Sequence, residues 1–282
     1  MTKISDYKAQ LLQQVQEAGD RLDSGAQKML DLAGSDEQIA ELIKRLADPA
    51  TPATDQLSAL NSLGVVSIFS KVLPTRSADL TNALRGLINS ADAEVRRQTL
   101  SKLSLMGDEV AQQHLRAELE SDKPEAEKSV PTHLAIAMLG ADEKAIDRAL
   151  LRAIAQNPPD DESLVQAVRH LPADTDTAGV LMEILQDESK PIAARSLIPD
   201  IVNNVDPSGF ATCAKRMLEE QGTESEIAPF LARGVAGIRA DNNQKEVEET
   251  KAVVRSLALA GPDSFRQAVS QMMSPDETSS DT

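Results

Sequence analysis

Aromatic residues are nearly absent from this chain. Tryptophan is missing, and one tyrosine and four phenylalanines are the only aromatic residues among 282. Flat ring surfaces on which nucleobases, sugars or planar cofactors stack are therefore scarce. Hydrophobic residues still make up 41% of the chain, so the core must be built from aliphatic side chains.

Cysteine and long apolar runs are also lacking. Cys213 is the single cysteine, so no intrachain disulfide can form. No run of 18 apolar residues occurs that could cross a bilayer, and the first residues, MTKISDYKAQLLQQ, lack the apolar segment of a secretory signal. We therefore expect a cytoplasmic protein without a membrane span.

Positive charge is in short supply. There are 45 acidic residues against 29 lysines and arginines, which gives a formal net charge of −16. Such a chain repels a phosphate backbone unless basic groups gather on one face, and no run of lysine or arginine suggests this. We expect no nucleic-acid binding. The acidity suits solubility or, alternatively, a basic protein partner.

Motifs for catalysis and metal binding are missing as well. Neither G-x-G-x-x-G nor the phosphate-binding G-x-x-x-x-G-K-[ST] occurs. The three histidines are far apart in sequence, and the pair His114 and Glu118 has no third ligand. Cys213 has no histidine nearby in sequence to activate it, so a buried side chain is expected there. The sequence thus predicts no catalytic residue, no metal site and no cofactor.

The chain does contain a recurring helical pattern. Residues 91–122 form two amphipathic segments joined by a tight turn at Gly107 and Asp108. Successive copies of the pattern begin about 31 to 40 residues apart, which is typical of repeated helix hairpins. The aligned copies are QLSALNSLG (56–64), RRQTLSKLS (96–104), THLAIAMLG (132–140), LVQAVRHLP (164–172), RSLIPDIVN (195–203) and, more loosely, LARGVAGIR (231–239).

Two columns of this alignment predict the core. The first holds a small or β-branched residue in each copy: Ala59, Thr99, Ala135, Ala167, Ile198 and Gly234. The second, one helical turn later, is aliphatic: Leu63, Leu103, Leu139, Leu171, Val202 and Ile238. No alternating β-branched or aromatic run predicts a strand.

Two copies resemble the short bacterial HEAT repeat. The first carries Asp92, Val95, Arg96, Leu100, Leu103, Gly107 and Asp108, and the second carries Asp187, Pro191, Arg195 and Val202. The other copies depart from this pattern, because Gln56, Thr132, Leu164 and Leu231 stand where the first has Arg96. The resemblance implies an all-α fold, a right-handed α-solenoid of stacked antiparallel helix hairpins of the HEAT/armadillo-like kind.

The pattern also predicts an organisation along the chain. We expect an N-terminal capping helix region at 1–34, HEAT-like repeats at 35–240, a C-terminal capping hairpin at 241–273 and a disordered acidic tail at 274–282. An apolar stripe from Ile4 to Leu22 is also compatible with a contact between chains. The oligomeric state therefore stays open.

If the aligned helices line the concave side, as the resemblance implies, the residues two before and two after the small column face outward. They are Leu57, Arg97, His133, Val165, Ser196, Ala232, and Asn61, Ser101, Ala137, Arg169, Asp200, Ala236. From these rows the predicted partner contacts are Leu57, Arg97, His133, Val165, Arg169 and Asp200. Alternatively, Arg97 and Arg169 pair with acidic residues of adjacent repeats.

The function expected from this pattern is that of a non-enzymatic protein–protein interaction scaffold or adaptor, with a partner segment in its concave groove. Two alternatives come from other classes. One is a HEAT-like lyase or regulatory protein that handles a small cofactor, and the other is a structural subunit of a larger assembly.

Overall fold

The computed structural model describes residues 36–69, 76–140, 146–239 and 245–270, with the backbone alone for 64–69. Every regular element in these ranges is a helix, which confirms the all-α prediction. None of these helices has both the length and the apolarity that a bilayer crossing requires.

Internal contacts divide the chain into two units, Met1–Leu115 and Arg116–Thr282. This division falls inside the region predicted to contain the repeats. The predicted N-terminal capping region and the predicted acidic tail lie outside the described residues.

The described part of the first unit contains four helices and the beginning of a fifth: α1 (Asp36–Ala47), α2 (Ala53–Phe69), α3 (Ser77–Gly86), α4 (Ala93–Leu105) and α5 (Glu109–Glu120), in which the boundary between the units falls. Helix α1 packs against α2 and α3, and α4 packs against the same two helices.

The second unit continues with a short 3-10 turn, Glu125–Glu127, and a further series of helices. They are α6 (Thr132–Leu139), α7 (Arg148–Gln156), α8 (Asp161–His170), α9 (Thr175–Gln186), α10 (Ile192–Arg195), α11 (Ile198–Val202), α12 (Pro207–Gln221), α13 (Ala228–Ala236), α14 (Lys245–Ala260) and α15 (Asp263–Ala268). Helix α6 packs on α8 and α8 on α10, while α11 packs on α13 and α13 on α15. Helices α7 and α9 contact each other, as do α12 and α14.

Both predicted core columns are buried. Every member of the small column and of the aliphatic column is at most 5% exposed, apart from Gly234, which is also buried. Gly234 shows why the first column must stay small. A Cβ at this position would lie 2.6 Å from Cβ of Pro199 and 2.7 Å from Cζ of Phe210, so α13 can approach α11 and α12 only where a side chain is missing.

One aligned copy is broken where the pattern predicts a continuous helix. Residues 195–203 contain the end of α10 and the whole of α11, with Ser196 and Leu197 between the two helices. Pro199 supplies the reason, because it has no N–H to donate to the preceding turn. Proline is well accommodated in the first turn of the new helix α11.

Aspartates begin many of these helices. A side-chain oxygen of Asp92 accepts hydrogen bonds from the backbone N–H groups of Glu94 and Val95 at 3.0 and 2.9 Å. Asp147, Asp160, Asp174 and Asp206 cap α7, α8, α9 and α12 in the same way. Each such bond satisfies a donor at a helix start that has no partner within the helix. Part of the acidity of the chain therefore serves helix initiation.

Arg96 and Arg195, which occupy the same column in two copies, perform the same local task. Nη1 of Arg96 donates to the carbonyl oxygens of Ser90 and Ala91, beyond the end of α3, at 2.6 and 3.1 Å. Nε of Arg195 donates to the carbonyl oxygen of Leu185, in the last turn of α9, at 2.9 Å. Each arginine thus satisfies backbone carbonyl groups that precede its own helix, in the loop before α4 for Arg96 and in the last turn of α9 for Arg195.

We expect Arg96→Ala to lower the free energy of unfolding by about 1–2 kcal/mol, because it leaves the half-buried carbonyl oxygen of Ser90 without this donor. Its neighbour Arg97 provides a matched control, since among the described residues Arg97 donates only to Glu94, in a half-buried pair three residues apart. Arg97→Ala should cost at most about 0.5 kcal/mol. Urea denaturation followed by circular dichroism measures both variants, and equal losses would contradict the capping role.

Candidate functional site: a basic pocket beside α8

The six predicted partner contacts differ in exposure. Leu57, Arg97, His133 and Val165 are half-buried, whereas Arg169 and Asp200 are exposed. In the outward row that precedes the small column, Ala232 is fully buried, against the expectation for that row. Its helix α13 is contacted by α11, α12, α14 and α15, which leaves this position no access to solvent.

Two of the predicted contacts already have charged partners. Nε of Arg97 donates to Oε2 of Glu94 at 2.7 Å, and the arginine and Gln98 together lower the pKa of Glu94 to about 2. Asp200 forms a two-pronged pair with Arg233 of α13, whose Nη2 lies 2.6 Å from Oδ2. The alternative expectation is that Arg97 and Arg169 pair with acidic residues of adjacent repeats. Arg97 instead pairs within its own helix, whereas the pair between aligned copies is that of Asp200 and Arg233.

Arg169 differs from these residues, because it has no ion-pair partner among the residues that the structure describes. It lines a pocket of about 350 Å³ together with two other basic side chains, Arg148 and His170. The remaining lining residues are Gly140, Ile146, Leu171 and Pro172. Among the described residues, no acidic side chain lines this pocket; residues 141–145, which connect Gly140 to Ile146, lie outside the described residues.

Three successive helices bring these residues together. Gly140 ends α6, Arg148 is the first residue of α7 after its capping Asp147, and Arg169 and His170 form the end of α8. The imidazole of His170 lies so close to Gly140 that a Cβ there would overlap the ring. A glycine at 140 is thus required for the ring to occupy this place.

The electrostatics of the pocket favour a neutral histidine. Burial, and then the charge of Arg169, lower the pKa of His170. Nη1 of Arg148 lies 3.5 Å from Oδ2 of Asp174 in a pair whose arginine is 69% exposed, so solvent screens this contact strongly. The other oxygen of Asp174 accepts a hydrogen bond from the N–H of Thr177 at 2.9 Å.

Sequence reasoning found Arg169 but not the rest of the pocket. Arg148 lies on a helix between the aligned copies, and Gly140 is the last residue of one copy. The available signal was that each aligned copy ends close to the beginning of the next partner helix. That signal places Gly140 near Arg148, but it does not bring the end of α8 to the same point.

The remaining candidates for chemistry are separate from this pocket. Cys213 is buried, as expected, and its burial raises the pKa of the thiol. Its Sγ lies 3.7 Å from Sδ of Met217. In the described ranges, no three or more histidine, cysteine, aspartate or glutamate side chains converge as metal ligands would.

Comparisons with protein-family models, with curated proteins and with solved structures find no match for this chain.

Proposed function

We propose that this chain is a cytoplasmic interaction scaffold or adaptor of the HEAT-like kind, a right-handed α-solenoid that holds a protein segment in its concave groove. The observation that carries the proposal is the order of helix contacts in the second unit. Helices of the aligned copies touch each other in succession, from α6 to α8 to α10 and from α11 to α13. This order is the one expected when hairpins stack and each contacts only its neighbours.

The outward rows supply the surface for a partner. In the second unit, the row that follows the small column presents Ala137, Arg169 and Asp200, all of them exposed. The row that precedes it presents His133 and Val165, both half-buried. A row of small, apolar and charged side chains on successive helices suits an extended peptide, which meets one helix after another.

Local chemistry also favours binding over structural pairing at one point of this surface. Asp200 is held by Arg233, but Arg169 is left with its charge uncompensated by the described residues. An exposed arginine is a frequent centre of binding energy at protein interfaces, because it combines an apolar stem with several donors.

Site-specific photo-cross-linking tests this function. A benzophenone amino acid replaces Ala137, on the exposed row of α6, or Glu183, an exposed residue of α9 that serves as the control. Each variant of the full chain is irradiated in a cytoplasmic extract of the source organism at physiological salt. We expect a protein adduct of defined mass from position 137 and none from position 183.

Two results would contradict the scaffold proposal. Equal amounts of adduct from both positions would show that proteins contact the chain without a preferred face. The absence of an adduct at both positions would contradict binding of a protein segment on this surface. A small coloured or metal-containing molecule that copurifies with the chain would favour the cofactor-handling alternative. Circular dichroism of both variants controls for loss of fold.

A further inference from the structure

We propose that a cavity beside the ends of α9 and α12 binds a small zwitterion, a molecule with one carboxylate and one ammonium group such as a free amino acid or a dipeptide. The carboxylate binds Arg195 and the ammonium group binds Glu226. The inference goes beyond the proposed function, because the ligand is a small molecule and none of the residues that line the cavity belongs to the outward rows.

The described part of the chain supplies the wall of this cavity. The cavity has a volume of about 490 Å³, and its lining residues belong to two continuous stretches, 188–195 and 221–227. Every residue of both stretches is described, and both stretches lie in the second unit. The undescribed residues nearest to them in sequence, 240–244, follow the opposite end of α13.

A buried guanidinium with too few partners is the first observation. Arg195 is only 7% exposed and forms part of the cavity wall. Its Nε donates to the carbonyl oxygen of Leu185 at 2.9 Å. Its Nη2, in contrast, is buried without a hydrogen-bond partner among the described residues. Buried charged donors are costly when no acceptor meets them, and nearly all of them in folded proteins have one. A ligand oxygen in the cavity would be such an acceptor.

The acidic residues of the neighbouring loop do not supply this acceptor, since neither bonds to Nη2 of Arg195. Oδ1 of Asp187 accepts hydrogen bonds from the N–H and the hydroxyl of Ser189 at 2.9 and 2.6 Å. Oε1 of Glu188 accepts a hydrogen bond from Nε2 of Gln221 at 2.7 Å. The carboxylates of this loop are therefore engaged elsewhere, and the guanidinium is left for a ligand.

The balance of charge in the wall selects the ligand class. Lys190, which is half-buried, and Arg195 are its cations, whereas the exposed Glu188 and Glu226 are its carboxylates. A simple anion that reached Arg195 would be repelled by both carboxylates. A ligand that carries a carboxylate and an ammonium group is attracted by groups of both signs. Glu226 forms no ion pair among the described residues, so its carboxylate can accept the ammonium group.

The remaining lining residues also suit an amino acid. Gln221 and Ser225 are half-buried polar residues, and the hydroxyl of Ser225 donates to Oε1 of Gln221 at 3.2 Å. Ile192 is half-buried and Ile227 is buried, so both offer apolar surface to a ligand side chain. A volume of about 490 Å³ exceeds that of a free amino acid and also admits a dipeptide.

Isothermal titration calorimetry of the full chain tests the proposal. The probes are the standard free L-amino acids and alanyl-alanine, each at millimolar concentration. The controls are the N-acetyl and the amide derivatives of the strongest binder, because the first lacks the ammonium group and the second lacks the carboxylate. We expect saturable binding of at least one probe, and binding at least tenfold weaker for each derivative, because each loses charge-assisted hydrogen bonds.

Three variants locate the site. Arg195→Lys keeps the charge but lacks the forked donors of a guanidinium, and it should weaken binding at least tenfold. Because this variant also loses the bond to Leu185, circular dichroism checks its fold. Glu226→Gln changes an exposed residue and should weaken binding at least fivefold. Glu219→Gln removes the same charge from an exposed residue of α12 outside the cavity wall, and it should leave binding within twofold.

Three results would overturn the proposal. The first is the absence of saturable binding by any probe, and the second is equal weakening by Glu226→Gln and Glu219→Gln. The third is undiminished binding of the N-acetyl derivative, which would indicate a site for simple carboxylates. Cross-linking at Ala137 tests the scaffold function separately, so the failure of either proposal is distinguishable from the failure of the other.

Discussion

Replacing Gly234 by alanine is expected to lower the free energy of unfolding by up to about 2 kcal/mol. The added methyl would lie 2.6 Å from Cβ of Pro199 and 2.7 Å from Cζ of Phe210. Neither neighbour can retreat easily, because the proline ring is rigid and Phe210 is fully buried. Overpacking of this kind costs about 1–3 kcal/mol, and the gain in helix propensity from glycine to alanine, about 1 kcal/mol, offsets only part of it.

Gly179 provides the matched control for this prediction. It lies within α9, is exposed, and has nothing within 4 Å of the position that a Cβ would occupy. Gly179→Ala should therefore stabilise the protein by roughly 0.5–1 kcal/mol through helix propensity alone. Urea denaturation followed by circular dichroism measures both changes. Two changes of the same sign would contradict the close packing of α13 on α11 and α12.

The buried columns could be predicted from sequence because they follow from helical periodicity. Ala135 and Leu139, or Ala167 and Leu171, lie one turn apart on the same face, and local spacing decides which face is apolar. The break before Pro199 also follows from a local rule, since proline cannot donate to the preceding turn. The pair of Glu94 and Arg97 is equally local, because residues three apart adjoin on a helix.

The basic pocket depends on information that local periodicity does not contain. Gly140, Arg148 and Arg169 belong to three helices, and their meeting depends on how far each helix extends and how closely α6 approaches α8. The pair of Asp200 and Arg233 is an intermediate case. Both residues lie next to the small column of adjacent copies, so the alignment brings them near each other, but it does not decide which of several charged neighbours Asp200 selects.

The largest loss of stability in the first unit is expected for Asp108→Ala, at about 2–3 kcal/mol. Nε and Nη2 of Arg85 lie 2.9 and 2.7 Å from Oδ2 of Asp108, while the other oxygen accepts the N–H of Ala111 at 3.0 Å. The cap contributes about 1 kcal/mol. Hydrogen bonds to a charged group contribute about 1.5–3 kcal/mol. We expect the bonds from Arg85 to contribute close to about 1.5 kcal/mol, because the Arg85 side chain is 42% exposed although that of Asp108 is only 4% exposed.

Asp92→Ala isolates the share of the ion pair. Asp92 caps α4 through two backbone N–H groups but forms no ion pair among the described residues, so its loss should cost about 1 kcal/mol. When Arg85 is also replaced by alanine, Asp92→Ala and Asp108→Ala should lower the free energy of unfolding by the same amount. Equal losses from Asp92→Ala and Asp108→Ala in the wild-type background would show that Arg85 contributes nothing.

The pH dependence of the same pair has a definite sign. Burial raises the pKa of Asp108, but the hydrogen bonds from Arg85 and Ala111 outweigh it, so that the folded-state pKa lies below its ordinary value. The unfolded chain therefore binds the proton more tightly, and the stabilisation is present above the unfolded-state pKa and is lost as the pH falls toward the folded-state pKa. Asp108→Asn cannot titrate. The difference in unfolding free energy between wild type and Asp108→Asn should become smaller as the pH falls through this range. If the difference stays constant, the effect of the substitution comes from packing rather than from charge.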